Sequence, residues 1–253
     1  MLRSLENLRG FEVQGEDSEI GSVHGFLFRD DSWVITYIVV DTGKWLPGRK
    51  AIISPMAIDT CDWVKKSFST SLTKERVKKG PDIDSEKPVS RQKEIELNRY
   101  YGWPMPRAGI PGAALPSIYG PIPPPESGKE FPGGEENDSH LRSTREVIGY
   151  RIEARNGELG HLEGFLADDE AWVIRYVIVS LGKWLPGKQV LVAPEWIERV
   201  SWQKRKVYVD LLKDTVRNCP EYDPYAQVGR EYETALYDYY GRPKYWEGSN
   251  RKR

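Results

Sequence analysis

The chain repeats itself. From Leu2 to Pro104, each position i is matched to position i+139 with no insertion or deletion, and 38 of the 103 pairs are identical. The densest block runs from Gly25-Phe26-Leu27 through Trp33-Val34-Ile35 to Gly43-Lys44-Trp45-Leu46-Pro47-Gly48. Its counterpart runs from Gly164-Phe165-Leu166 through Trp172-Val173-Ile174 to Gly182-Lys183-Trp184-Leu185-Pro186-Gly187. The match persists to Tyr100-Tyr101-Gly102 against Tyr239-Tyr240-Gly241. Register held over that length means one fold written twice, so a reading of one copy must also serve the other.

The copies are expected at residues 1–104 and 140–246, with a basic tail at 247–253. Between them, residues 105–139 hold eight of the 18 prolines and six glycines, including the run 121–125, and read as a linker. A docking site for a proline-recognising partner is the alternative. Each copy balances 16 basic against 16 acidic side chains, which counts against nucleic acid as a partner. No apolar run reaches the roughly 20 residues of a membrane span, and the start has no signal-peptide stretch. Cys61 and Cys219 are far apart and unmatched between copies, so no disulfide framework is expected and a reducing cytoplasm is the default.

Each copy reads as mainly β. A short strand is expected over Arg9–Gln14 and Ile148–Ala154, then a longer one over Ile20–Phe28 with glycines at 21 and 25 inside it. Glycine within a strand marks a bulge or sharp bend, which suits a small coiled barrel. Trp33 to Asp41 is continuously apolar and β-branched, the pattern of a central strand covered on both faces. Strands follow at Lys50–Ile53, Ile58–Val64 and Ser67–Ser71. Thr73 is an N-cap for a short helix over Lys74–Lys79. Arg91–Tyr101 closes the copy as a helical arm, with Gly102 and Gly241 at the C-cap. The expected fold is two tandem small β-barrels of five to six strands, each with a short C-terminal helical arm.

The opening Leu-Arg-Ser, Glu19-Ile-Gly21, Trp33-Val-Ile-Thr-Tyr37 and Lys44-Trp-Leu-Pro-Gly-Arg49 resemble the PRC-barrel family. The second copy carries Glu158-Leu-Gly160, Trp172-Val-Ile-Arg-Tyr176 and Lys183-Trp-Leu-Pro-Gly-Lys188. The resemblance is strongest over about the first 80 residues of each copy. The arm ending in Tyr-Tyr-Gly looks like an extension of bacterial stand-alone members. The family includes the cytoplasmic domain of the photosynthetic reaction-centre H subunit and the C-terminal domain of a ribosome maturation factor. It therefore implies an adaptor-like, non-enzymatic protein with no cofactor and a protein partner. The chain lacks the H subunit's membrane helix and the maturation factor's N-terminal domain. Two other readings stay open: RNA- or ribosome-associated assembly, and binding of a quinone-like small molecule.

Candidate sites follow from what the two copies retain. Lys44, Trp45 and Arg49, with Lys183, Trp184 and Lys188, put cations and an aromatic on a loop that could hold a partner. The alternative is that Trp45 caps the barrel while Pro47-Gly48 fixes the turn. On the arms, Leu97, Tyr100 and Tyr101 share a face, as do Leu236, Tyr239 and Tyr240. That face must pack on its own barrel, on the other copy or on a second chain, and pairing of the two repeats is the expectation. Asp30-Asp31 and Asp168-Asp169-Glu170 read as hairpin turns, with cation binding as the alternative. The three histidines, His24, His140 and His161, are not retained between copies, and no metal or catalytic residue is assigned.

Overall fold

The computed structural model describes residues 1–84, 89–106, 119–120, 141–182 and 187–247. In the first copy the elements are β1 (Leu2–Ser4), α1 (Leu5–Leu8), β2 (Glu12–Gln14), β3 (Glu19–Arg29), β4 (Ile35–Asp41), β5 (Lys50–Ile53), β6 (Ile58–Asp62), β7 (Ser67–Thr70), α2 (Lys74–Lys79) and α3 (Arg91–Tyr101). A two-residue pair, β8 (Met105–Pro106) with β9 (Tyr119–Gly120), follows. The second copy repeats the order as β10 (Leu141–Ser143), α4 (Thr144–Val147), β11 (Arg151–Ala154), β12 (Gly157–Asp168), β13 (Val173–Ser180), β14 (Gln189–Val192), β15 (Ile197–Ser201), β16 (Lys206–Val209), α5 (Lys213–Arg217) and α6 (Arg230–Tyr240). No described helix is long and apolar enough to cross a membrane.

Two seven-stranded sheets result. One runs β5-β4-β3-β2-β7-β6 and the other β14-β13-β12-β11-β16-β15, so the copies share a strand order. The pairs β2 with β7 and β11 with β16 are parallel, whereas β3 with β4, β4 with β5 and β13 with β14 are antiparallel.

The expected closed barrel of five to six strands is not what these pairings describe. Among the described residues no ladder joins β5 to β6, so each sheet is an open path with an added seventh strand. The end strands are nevertheless consecutive in sequence, joined through Ser54 and a single 3-10 turn at Pro55–Ala57. Five strand spacings of ~4.8 Å would set them ~24 Å apart in a flat sheet. The five residue steps from Ile53 to Ile58 span at most ~18 Å. The sheet is therefore curled, with its two end strands drawn closer than a flat sheet would set them.

The curl is written into β3. Its register against β4 slips between Val23 and Gly25 and again between Leu27 and Phe28. Gly21 lies so close to β4 that a Cβ there would collide with the Asp41 carbonyl, and Gly160 meets the Ser180 carbonyl in the same way. Both glycines are retained because only a bare backbone fits. Gly21→Ala or Gly160→Ala is expected to cost roughly 1–3 kcal/mol, as overpacking against an immovable backbone does. A fall in the urea midpoint at unchanged m-value would show it.

The seventh strand of each sheet is exchanged. β1 pairs antiparallel with β12, Leu2 opposite Asp168, Arg3 opposite Ala167 and Ser4 opposite Leu166. β10 pairs with β3, Leu141 opposite Arg29, Arg142 opposite Phe28 and Ser143 opposite Leu27. The compact units accordingly do not follow the boundaries at 104 and 140. The N-terminal unit comprises residues 5–146 and 170–173, and the C-terminal unit residues 1–4, 147–169 and 174–253. Each unit has its own core. In the N-terminal unit Phe26, Phe28, Tyr37, Ile38, Ile53 and Phe68 are fully buried. In the C-terminal unit Phe165, Tyr176 and Tyr237 are. Ile35–Val40 of β4 is buried throughout, as its continuous apolar run requires.

Trp172 is a further crossing element. Its φ of 51° is left-handed, and its ring lies in the N-terminal unit, 6.4 Å from Phe26 and 6.1 Å from Phe68. Its carbonyl accepts from the Ile35 amide at 2.7 Å. The matching Trp33 instead stacks on Phe28 at 5.4 Å.

Candidate functional site

The loop after β4 is built from its own sequence. Asp41 Oδ1 accepts from the Gly43 amide at 2.8 Å, and the Thr42 hydroxyl donates to the carbonyls of Leu46 (3.1 Å) and Arg49 (2.8 Å). Leu46 is buried beneath it. The Trp45 indole N–H donates to the Ile20 carbonyl at 2.7 Å, fixing the ring half-buried, with the Lys74 ammonium 5.3 Å from its centroid. Lys44 is exposed.

Arg49 turns inward to the end of α2. It donates to the carbonyls of Lys78 (3.2 Å) and Gly80 (2.8 Å) and pairs with Asp82 at 3.2 Å. Lys188 does the same for α5, donating to the carbonyls of Arg217 (2.8 Å) and Cys219 (3.2 Å). These cations satisfy carbonyls that a helix C-terminus leaves unpaired. Lys183 and Trp184 lie outside the described residues, as do His140 and the proline run.

The arms lie on their own units. Ser90 caps α3 by accepting from the Lys93 amide, and Gly102 ends it at φ 76°. Leu97 and Tyr101 are buried, and Tyr101 stacks on Trp103 with ring centres 4.2 Å apart. Tyr100 is exposed, its hydroxyl donating to the Arg76 carbonyl at 2.7 Å. In α6, Leu236 is buried, Tyr240 lies 4.7 Å from Trp196, and exposed Tyr239 donates to the Thr215 carbonyl at 2.8 Å.

Beneath each arm is a buried carboxylate that the apolar pattern does not announce. Glu94 is 2% exposed. It accepts from Arg91 at 2.7 Å, and the guanidinium of Arg29, itself 4% exposed, stands 3.6 Å away. Burial works against the Arg29 charge. The bonds to Asp31 and the nearby carboxylates Glu94 and Asp30 outweigh it, so the guanidinium is held more firmly charged than usual. Glu233, the counterpart, accepts from Tyr176 and Tyr245 at 2.9 Å each and pairs with Arg230 at 2.9 Å. Here Tyr237 replaces Asn98, whose amide donates to the Tyr37 hydroxyl at 2.6 Å in the N-terminal unit. The cation has moved as well: Arg175 on β13 faces Asp168 at 3.7 Å and covers the Tyr245 ring at 4.4 Å. The retained Arg-x-x-Glu spacing, Arg91 to Glu94 and Arg230 to Glu233, was the available sequence signal.

The aspartates of the two hairpins receive the exchanged strands. Arg3 Nε donates to Asp169 Oδ2 at 2.7 Å, and the N-terminal ammonium reaches Asp169 Oδ1 at 2.5 Å. In the other unit Arg142 Nε meets Asp30 Oδ2 at 3.4 Å. Thr144 accepts from the Phe26 amide at 3.3 Å, and Arg145 stands 3.4 Å from the His24 ring.

A family model described as PRC-barrel domain matches residues 2–76. The chain carries a PRC-barrel domain. The match starts at the exchanged Leu2–Ser4 strand and ends inside α2. The kinship of the second copy to the PRC-barrel domain rests on the internal repeat and on its identical strand order. No curated protein matches the chain.

Proposed function

We propose that the chain is a non-enzymatic adaptor or scaffold of the cytoplasm, in which two barrel-like PRC repeats present the Gly-Lys-Trp-Leu-Pro-Gly loop to a protein partner. The observation that carries this reading is the Trp45 ring. Its N–H is tied to Ile20, its plane is half-exposed beneath Lys74, and Lys44 stands exposed beside it. A rigid aromatic flanked by cations is the composition of an interface anchor. Arg49 and Lys188, which follow the Gly-Lys-Trp-Leu-Pro-Gly sequence in each copy, hold the helix ends. Retention of the loop in both copies suits bivalent capture, where two weak sites gain avidity.

The test is a pull-down from the native cell with the tagged full chain and its Trp45→Ala, Trp184→Ala and doubly substituted variants. Each single variant is expected to lower recovery of the same partner, and the double variant to lower it by a factor of ~100 or more. Undiminished recovery with a double variant of native circular dichroism would defeat the proposal.

A further inference from the structure

The exchanged strands are interchangeable. β1 and β10 are the same tripeptide, Leu-Arg-Ser, and each lies on the long strand of the other copy in the same register. Arg29, Phe28 and Leu27 correspond to Asp168, Ala167 and Leu166 under the 139-residue repeat. Each exchanged arginine then reaches the equivalent hairpin aspartate, Arg3 to Asp169 and Arg142 to Asp30. Nothing in this pairing records which chain the tripeptide belongs to.

We propose that two copies of this chain form a homodimer by reciprocal exchange. The Leu2–Ser4 strand of one copy completes the β12 edge of the second, and the second's Leu141–Ser143 strand completes the β3 edge of the first. Every contact made between chains is one already made within a chain, so the dimer gains and loses no strand pairing. Only association entropy separates the two forms. A covalent tether supplies an effective concentration up to the order of millimolar. Exchange between chains therefore dominates where the local concentration approaches that value, or where chains fold together from the unfolded state. The assembly closes at two chains because the two repeats left over, the second repeat of the first chain and the first repeat of the second, make the same exchange with each other.

The proposal is tested with full-length chains bearing Cys61→Ser. One carries Arg3→Cys and the other Ala167→Cys, residues directly opposite in the ladder and within disulfide reach. The two are unfolded together, refolded at micromolar and at about millimolar concentration, and oxidised. A covalent dimer containing one of each variant is expected, and its yield should rise at least tenfold with concentration. A chain carrying both substitutions is expected to close its own bond at micromolar concentration. No mixed dimer at either concentration overturns the proposal. So does a doubly substituted chain that fails to close, or equal dimer yield from either single variant refolded alone.

Discussion

Removing Met1–Ser4 is expected to destabilise the sheet built from the second repeat and to leave the first repeat's sheet complete. The truncated chain loses the ladder from Leu2–Ser4 to Leu166–Asp168, the bond from the Asp169 amide to the Met1 carbonyl, and both cations on Asp169. A backbone hydrogen bond is worth about 1 kcal/mol net. A half-buried carboxylate stripped of its partners costs further, because Asp169 keeps little solvent. The sum is about 2–4 kcal/mol. Hydrogen exchange localises it: amides of β12 should lose protection, while those of β2, β3 and β7 keep theirs. Loss of protection at β3 instead would contradict the exchange.

Alkali is expected to unfold the chain cooperatively between pH 10 and 12. Burial disfavours the phenolate of Tyr101, with adjacent Tyr100 adding to the effect, and raises its pKa to about 12. Tyr245 is raised to about 12 by burial and then by Glu233. Tyr176, Tyr232, Tyr237 and Tyr240 are pushed up further, chiefly by burial. An unfolded tyrosine ionises near pH ~10. Below that value both states keep their protons and the stability is fully present. Above it the unfolded chain releases protons that the native chain still holds, so stability falls as pH rises. Each tyrosine so held costs about 1.4 kcal/mol per pH unit. Several together exceed a typical reserve of about 5–15 kcal/mol within two pH units. Tyrosinate absorbance and far-ultraviolet circular dichroism should change together. Smooth titration near pH ~10 with the secondary structure intact would contradict the burial of the arms.

Much of each copy's interior was legible in the sequence. The apolar run of β4 has no alternation because both its faces are covered, and the arm ended at Tyr101 because Gly102 adopts the left-handed conformation there. Glycines at 21 and 25 marked a close approach and a register slip. The exchange was not legible, for a physical reason. Two identical tripeptides fit two equivalent edges equally well, and only chain connectivity distinguishes the pairings. The buried glutamates do not show in an apolar stripe, since Glu94 and Glu233 occupy core-facing positions by virtue of charged and hydroxyl partners. Arg49 and Lys188 were read as loop cations, whereas the helix ends they hold lie about thirty residues away in sequence.

The exchange also sets an order on synthesis. The N-terminal unit draws on Leu141–Ser143 and on Trp172, so its own last helix at Arg91–Tyr101 does not finish it. The nascent chain must grow about seventy residues further, which at ~5–20 residues per second takes several seconds. The outer edge of Leu27–Arg29 stands open until Leu141–Ser143 is made, about forty residues on, and the seat of the Trp172 ring stays open over the whole interval.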